Sequence, residues 1–105
     1  MKRVEANIPP KQLQAVLKAI GQVGVGGIMV RQSKGVGAKK SPKVDDLVDR
    51  TIVTTIVEDE KADDIMEAIA EATCTNSKGD GKIYVSNVEE MTDICTKEKE
   101  IFQIT

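Results

Sequence analysis

The sequence lacks histidine and tryptophan, and its only aromatic residues are Tyr84 and Phe102. Without an imidazole, histidine metal ligands and histidine-based acid–base catalysis are excluded. RNA-binding sheets stack bases on aromatic side chains, so this scarcity argues against an RNA-binding domain. The formal net charge of −2 is also unlike that of a general nucleic-acid binder. We therefore expect no nucleic-acid partner and an aliphatic core.

Cysteines and long apolar runs are also scarce. The two cysteines, Cys74 and Cys95, have no metal-ligand spacing, and we expect reduced thiols in a cytoplasmic protein. Cys74 is predicted to be a small buried residue at the end of a helix. No apolar run has transmembrane length and no signal peptide is evident, so we expect no membrane insertion. The 105 residues fit one domain, residues 1–105.

Two glycine turns followed by lysines stand out among the residues that are present. Gly79 and Gly81 precede Lys82 at the start of an apolar segment, and Gly35 and Gly37 precede a lysine pair. Glycine leaves backbone N–H groups uncovered, and successive N–H groups form a concavity that attracts anions. An Asp-Gly pair is also a plain hairpin-turn signal. Two such turns in one short chain favour a binder of phosphates or nucleotides.

Hydrophobic periodicity predicts four strands and two helices. The predicted strands cover residues 4–8, 28–34, 51–57 and 82–86. The predicted helices cover residues 11–23 and 61–73, the second capped by Asp59. Residues 36–50 have no clear period and are predicted to be a protruding, mobile loop with at most one short helical turn. Residues 88–105 are predicted to be a C-terminal tail, in which Ile101, Phe102 and Ile104 could form a last strand.

The element order β-α-β, loop, β-α-β predicts an α+β fold of the ferredoxin-like type. Such a fold has a four-stranded antiparallel sheet with both helices on one face. The other sheet face would then be uncovered and would include aliphatic residues. That exposure predicts burial of this face in an oligomer.

The chain resembles the PII family of signal-transduction proteins. The resemblance rests on the opening segment 1–6, the glycine-rich segment 23–27, the turn 34–37 and above all the block 78–85, followed by Val88-Glu89-Glu90. It implies a homotrimer with nucleotide sites in the clefts between subunits, where ATP and ADP compete and report energy state. It also implies a loop, residues 36–50, that docks onto a membrane transporter or a metabolic enzyme. Members are regulators, not enzymes.

The resemblance also assigns residues to the nucleotide. Those implied on the adenine side are Gly27, Ile28, Met29 and Ile56, where Ile56 serves in addition as core packing. Those implied around the phosphates are Gly35, Gly37, Gly79, Asp80, Gly81 and Lys82.

Several positions depart from the family pattern. The loop is several residues shorter and has no tyrosine. An Arg-x-Arg pair that holds phosphates is replaced by Asp93 and Cys95, which could cost roughly 1.5–3 kcal/mol per lost charged hydrogen bond. Lys97 or Lys99 could substitute. We expect weaker ATP discrimination, or a preference for ADP or AMP.

Further departures concern magnesium and 2-oxoglutarate. Lys39 stands where a glutamine helps to hold Mg²⁺, and a protonated lysine is a poor ligand for that ion. Arg50 matches a lysine that pairs with 2-oxoglutarate, so half of that site survives. Thr54 stands where an adenine-facing glutamate is usual. We therefore expect no Mg-ATP-dependent 2-oxoglutarate sensing.

Two other readings stay open. The chain could be a trimeric interaction protein whose Asp93 and Cys95 mark a degenerate nucleotide site. A small enzyme of the acylphosphatase type would need arginine and asparagine around a phosphate loop. Asn7 and Arg31 are available for that role, but the expected arrangement is not apparent in the sequence.

Overall fold

The computed structural model describes residues 1–97 and the backbone of residues 99–101. These residues form six strands: β1 (Lys2–Ile8), β2 (Met29–Gly35), β3 (Val48–Val57), β4 (Lys82–Asn87), β5 (Glu90–Thr92) and β6 (Lys99–Ile101). Two α-helices, α1 (Leu13–Val23) and α2 (Asp59–Thr73), connect β1 to β2 and β3 to β4. Neither helix in the described part of the chain has the length and apolar character that a membrane-crossing segment needs.

The four long strands form one antiparallel sheet in the order β2-β3-β1-β4. This order and the two helices confirm the predicted ferredoxin-like arrangement. The alternation in β1 sets the sheet register, because Val4, Ala6 and Ile8 are at most 2% exposed and face the helices. Val4 pairs with Thr55, and Ala6 pairs with Val53, so the helix-facing residues of β3 are fixed as well.

Each helix buries the stripe that its sequence predicts. Val16 and Ile20 of α1 and Ile65 and Ile69 of α2 are at most 1% exposed, and they join the strand residues in one aliphatic core. Gly24 ends α1 with a φ of 90°, and its N–H donates to the carbonyl of Ile20. A positive φ at a helix end favours glycine.

The loop between β2 and β3 is shorter than predicted. It covers residues 36–47, because Val48–Arg50 continue β3 and pair with Ser33–Gly35 of β2. An ion pair of 2.8 Å between Lys34 and Asp49 supports this extension. The predicted short helical turn is present as a single 3-10 turn at Val44–Asp46.

Two local predictions are wrong. Glu58, not Asp59, is the N-cap of α2, and Asp59 begins the helix and accepts an ion pair from the Met1 amine at 2.9 Å. That bond holds the pKa of Asp59 below its usual value. Cys74 is exposed rather than buried, because the chain leaves the helix there and Thr73 takes the last buried position. Cys95 is exposed too.

The predicted tail contains a small hairpin. Strands β5 and β6 pair antiparallel, with Met91 opposite Glu100. Ile101 ends β6, whereas Phe102 and Ile104 lie outside the described residues.

The sheet face turned away from the helices, here called the open face, carries mixed chemistry. Met29 is 68% exposed there and Tyr84 is 53% exposed, while Ile56 is half-buried. Arg31 and Glu5 form an ion pair of 3.5 Å on the same face. The open face thus includes the aliphatic residues that were expected, and its burial in an oligomer stays a prediction.

Candidate functional site

A cavity of about 780 Å³, here called the apolar cavity, lies at the end of the sheet where β3 meets α2. Gly27, Ile28, Met29 and Ile56, the residues assigned to adenine, all line it. Other lining residues are Val25, Val57, Lys61 and Met91. Such a cavity, mostly aliphatic with a few polar groups at its rim, suits a flat aromatic ring.

The apolar cavity owes its wall to the chain reversal after α1. The Thr55 hydroxyl donates to the carbonyl of Gly27 at 2.6 Å, which ties the reversal to the C-terminal part of β3. Lys61 of α2 donates to the carbonyl of Gly24 at 3.2 Å. Sequence reasoning missed Lys61 and Met91, because both reach the cavity only through tertiary packing.

A second cavity of about 390 Å³, here called the polar cavity, lies at the opposite end of the sheet, beside the loop of residues 36–47. Both glycine turns meet there: Gly35, Gly37, Gly79, Gly81 and Lys82 line it together. Arg50, Lys78, Asn7 and Tyr84 complete the wall. Three cationic side chains and glycine backbone amides form the surroundings that a phosphate prefers.

Arg50 joins the parts of the polar cavity. Its guanidinium donates to the Asn7 side-chain oxygen at 2.8 Å, to the Asn7 carbonyl at 3.1 Å and to the Gly79 carbonyl at 3.2 Å. The half-site for 2-oxoglutarate that the sequence suggested is therefore not a free cation, because this guanidinium already bonds to protein acceptors.

Position 81 of the chain accommodates only glycine. Its φ is 110°, and a Cβ there would lie 1.9 Å from the Asn7 carbonyl oxygen and 2.9 Å from Arg50. A side chain is excluded both by the conformation and by the close approach to β1. The glycine pattern of this turn thus reflects packing as well as an open backbone.

Asp80 does not line the polar cavity, unlike the glycines on either side of it. Its carboxylate accepts from the backbone N–H and the hydroxyl of both Thr75 and Ser77. The bonds from Thr75, and then those from Ser77, lower the pKa of Asp80 to about 2. The sequence grouped Asp80 with the phosphate residues, and the structure places its side chain inside its own loop instead.

The two sets of assigned residues do not meet within one chain. Arg50 of the polar cavity and Ile56 of the apolar cavity lie on the same strand, six positions apart. Six residues of extended chain span about 20 Å. One chain therefore keeps the two sets of residues in two separate cavities.

The residues that depart from the family pattern are either exposed or bonded to other residues of the chain. Asp93 and Cys95 are exposed in the turn after β5, beside Ile94, which is 95% exposed. Lys39 forms an ion pair with Asp46 at 2.5 Å, which lowers the pKa of Asp46 together with the Lys43 backbone N–H. Thr54 is buried and donates to Glu5 at 3.0 Å.

The arrangement expected of an acylphosphatase-type enzyme is not formed by these residues. Asn7 lines the polar cavity but bonds to Arg50. Arg31 is absent from that cavity's wall and pairs with Glu5. The two side chains thus serve separate contacts.

Comparison with known proteins identifies the family. The model of the family "Nitrogen regulatory protein P-II" matches residues 1–98. A nitrogen regulatory protein P-II of Rhizobium meliloti is 41% identical and one of Azospirillum brasilense is 37% identical, over 93% and 94% of this chain and 95% and 96% of those proteins. The P-II protein of Rhizobium leguminosarum bv. viciae is also 41% identical. The chain therefore belongs to the P-II family of nitrogen regulatory proteins, which are signal-transduction regulators and not enzymes.

Proposed function

We propose that this chain is a PII-type regulator that binds an adenine nucleotide between the subunits of a homotrimer. The observation that carries the proposal is the separation of two complementary half-sites at the two ends of the sheet. A nucleotide that uses both must lie between two copies, with its base in the apolar cavity of one and its phosphates in the polar cavity of the next. Closed rotational symmetry would then repeat the site at every interface.

The preferred ligand on this proposal is ADP or AMP rather than ATP. Asp93 and Cys95 replace the arginine pair and are both exposed. A carboxylate near a terminal phosphate repels it, and the repulsion grows with the charge of the nucleotide. The polar cavity retains Arg50, Lys78 and Lys82 as its cations.

Mg²⁺ and 2-oxoglutarate play no part in the proposed function. Lys39, which replaces the glutamine, is ion-paired with Asp46. Arg50, which replaces the 2-oxoglutarate-binding lysine, bonds to Asn7 and Gly79. Lys39 is thus a cation held by a carboxylate, which makes it a poor Mg²⁺ ligand. Arg50 keeps its positive charge in the polar cavity, but three of its N–H groups already donate to protein acceptors, which leaves no complete fork for a second carboxylate.

Family members act on other proteins such as enzymes and transporters. We propose that the segment 36–50 makes the contact in this protein, and that the partner is a membrane transporter or a metabolic enzyme. Val44, at 82% exposure, projects from the 3-10 turn of this segment. The loop begins at Val36 and Gly37 in the wall of the polar cavity, so a bound phosphate can influence it directly.

The first test is calorimetric titration with ATP, ADP and AMP, each with and without Mg²⁺, on protein whose mass in solution is measured in parallel. We expect a trimer and micromolar binding, with ADP or AMP at least as tight as ATP and little effect of Mg²⁺. A folded trimer that binds none of the three would support the alternative, an interaction protein with a degenerate site.

A second test addresses the shared site. Met29→Glu should disable the apolar cavity, and Lys82→Glu should disable the polar cavity, so each variant alone should bind no ADP. In mixed trimers an intact site needs an intact half from each of two neighbours, so an equal mixture should recover about one quarter of the wild-type sites. Failure of the mixture to bind would contradict a site formed between chains.

A further inference from the structure

We propose that Asp80 is a positioning residue that organises the phosphate loop, residues 75–81, without touching the ligand. The inference rests on the proposed function, because it assigns the internal support of the nucleotide site. On this proposal, removal of the Asp80 charge weakens anion binding, whereas simple electrostatics predicts that it strengthens anion binding.

The hydrogen bonds of Asp80 fill its acceptor capacity. One carboxylate oxygen accepts from the Thr75 N–H at 2.7 Å and the Ser77 N–H at 3.3 Å. The other accepts from the Thr75 hydroxyl and from the Ser77 hydroxyl, the latter at 3.1 Å. An ionised carboxylate has about four lone-pair sites, and four donors occupy them. No acceptor site is left for a metal ion or a ligand donor.

The same bonds set the shape of the loop. The backbone N–H of Asp80 donates to the Ser77 carbonyl at 3.3 Å, which closes a turn. Asn76, between the two donor residues, has a φ of 61°, a conformation that few non-glycine residues adopt. Asparagine tolerates a positive φ better than most residues, and the bonds from Thr75 and Ser77 to Asp80 hold the chain on both sides of Asn76.

The glycines of the loop and Asp80 between them have different surroundings. Gly79 and Gly81 line the polar cavity, whereas Asp80 between them does not. Gly81 packs against Asn7, and the Gly79 carbonyl accepts a hydrogen bond from Arg50, so contacts with β1 and β3 hold the loop in place. The bonds of Asp80 to Thr75 and Ser77 hold the loop together internally. Asp80 therefore fixes the direction of the flanking backbone through Thr75 and Ser77.

The test compares Asp80→Asn and Asp80→Ala with the wild-type protein. Charge alone predicts tighter binding of an anion when a nearby carboxylate is removed. The positioning role predicts the reverse, with pyrophosphate and ADP bound about fivefold or more weakly, because alanine removes both acceptor oxygens and asparagine leaves one neutral oxygen for four donors. Pyrophosphate has no base and therefore reports on the polar cavity alone.

A second readout needs no ligand. Amide hydrogen exchange at Thr75 and Ser77 in the nucleotide-free protein should become about tenfold or more faster in both variants, while exchange in β1 and β3 stays unchanged. Asp49→Asn is the matched control, because Asp49 is 72% exposed and absent from the cavity wall. It should leave loop exchange unchanged and anion binding equal or tighter.

Faster loop exchange together with weaker binding supports the proposal. Unchanged exchange overturns it, whether binding is tighter, as charge predicts, or weaker, as a direct ligand contact predicts. Faster exchange with equal or tighter binding also overturns it. If the wild-type protein binds neither pyrophosphate nor ADP, the proposed function fails, and the exchange measurement alone decides whether Asp80 orders the loop.

Discussion

The two cavities at the ends of the sheet are held in different ways. The apolar cavity is walled by β3 residues that are themselves buried, Thr54, Thr55 and Val57, each at most 5% exposed. The polar cavity is walled by two exposed glycine turns, and Arg50 and Asp80 hold one of them through hydrogen bonds. The first depends on packing and the second on a few directional bonds. A single substitution can therefore disorder the polar cavity while the fold persists.

The largest effect is expected from Gly81→Ala. A Cβ at this position would lie 1.9 Å from the Asn7 carbonyl oxygen, and the φ of 110° is unfavourable for alanine. We expect a loss of about 2 kcal/mol or more in the free energy of unfolding and no measurable pyrophosphate binding. Urea unfolding and calorimetry measure the two effects.

Gly79→Ala is the stability control for this variant. A Cβ at Gly79 would meet no atom within 4 Å, so the free energy of unfolding should change by about 0.5 kcal/mol or less. Equal stability of the Gly81→Ala and Gly79→Ala proteins would show that the turn is not pressed against β1.

Thr55→Val tests the apolar cavity in the same manner. It removes the 2.6 Å bond to the Gly27 carbonyl and keeps the shape of the side chain. We expect a loss of about 1 kcal/mol in the free energy of unfolding, weaker AMP binding and unchanged pyrophosphate binding.

Thr51→Val is the matched control, because Thr51 lies on the same side of β3 and donates to Gln32 at 2.9 Å away from both cavities. It should cost similar stability and leave both ligands unaffected. An effect of Thr55→Val on pyrophosphate would mean that the two cavities are coupled within one chain.

Arg50→Lys separates charge from geometry in the polar cavity. Lysine keeps the positive charge but lacks the planar fork that reaches Asn7 and Gly79 together. We expect pyrophosphate to bind about threefold to tenfold more weakly, with a stability change of about 1 kcal/mol.

Arg31→Lys is the control for Arg50→Lys, since Arg31 is mostly exposed and forms an ion pair with Glu5 on the open face, outside the polar cavity. It should change neither the affinity for pyrophosphate nor the free energy of unfolding appreciably. Unaltered pyrophosphate binding by Arg50→Lys would indicate that the guanidinium acts only as a charge.

The last and smallest predicted effect is the protonation of the Asp80 carboxylate, which occurs only at low pH. The pKa of Asp80 is lowered to about 2, so its contribution to stability is fully present above the usual value of 3.8 and is lost as the pH falls through 2. The amide chemical shifts of Thr75 and Ser77 should titrate with a midpoint near pH 2. Asp80→Asn should abolish this titration. A midpoint near 3.8 in the wild-type protein would mean that the bonds to Asp80 are not formed.

The strands, helices and overall topology could be predicted because they follow from residue periodicity. Val4, Ala6 and Ile8 alternate, and Val16, Ile20, Ile65 and Ile69 recur at helical spacing, so local pattern and burial agree. The start of β3 could not be predicted, since Val48–Arg50 are ordered by pairing with β2 and have no pattern of their own. The prediction of Asp59 as the N-cap of α2 is wrong for a similar reason: its carboxylate binds the Met1 amine, which is distant in the sequence.

The candidate site was predictable in its residue types and only partly in its geometry. Glycines followed by lysines indicated an anion site, and both turns do line one cavity. Nothing in the local sequence distinguished Asp80 from its glycine neighbours or revealed that Arg50 bonds to Asn7. Such contacts join segments that are far apart in the chain.

The sequence by itself determined the aliphatic core, the element order, the two glycine turns and the absence of histidine chemistry, since each depends on residue type and spacing. Only the tertiary structure decided that the residues assigned to adenine and those assigned to phosphate line two separate cavities, at opposite ends of β3. It also decided that Arg50 bonds to Asn7 and Gly79, and that Asp80 bonds to Thr75 and Ser77. The physical reason is that hydrogen-bond partners and cavity walls are set by distances between separate strands and loops, which only the folded sheet defines.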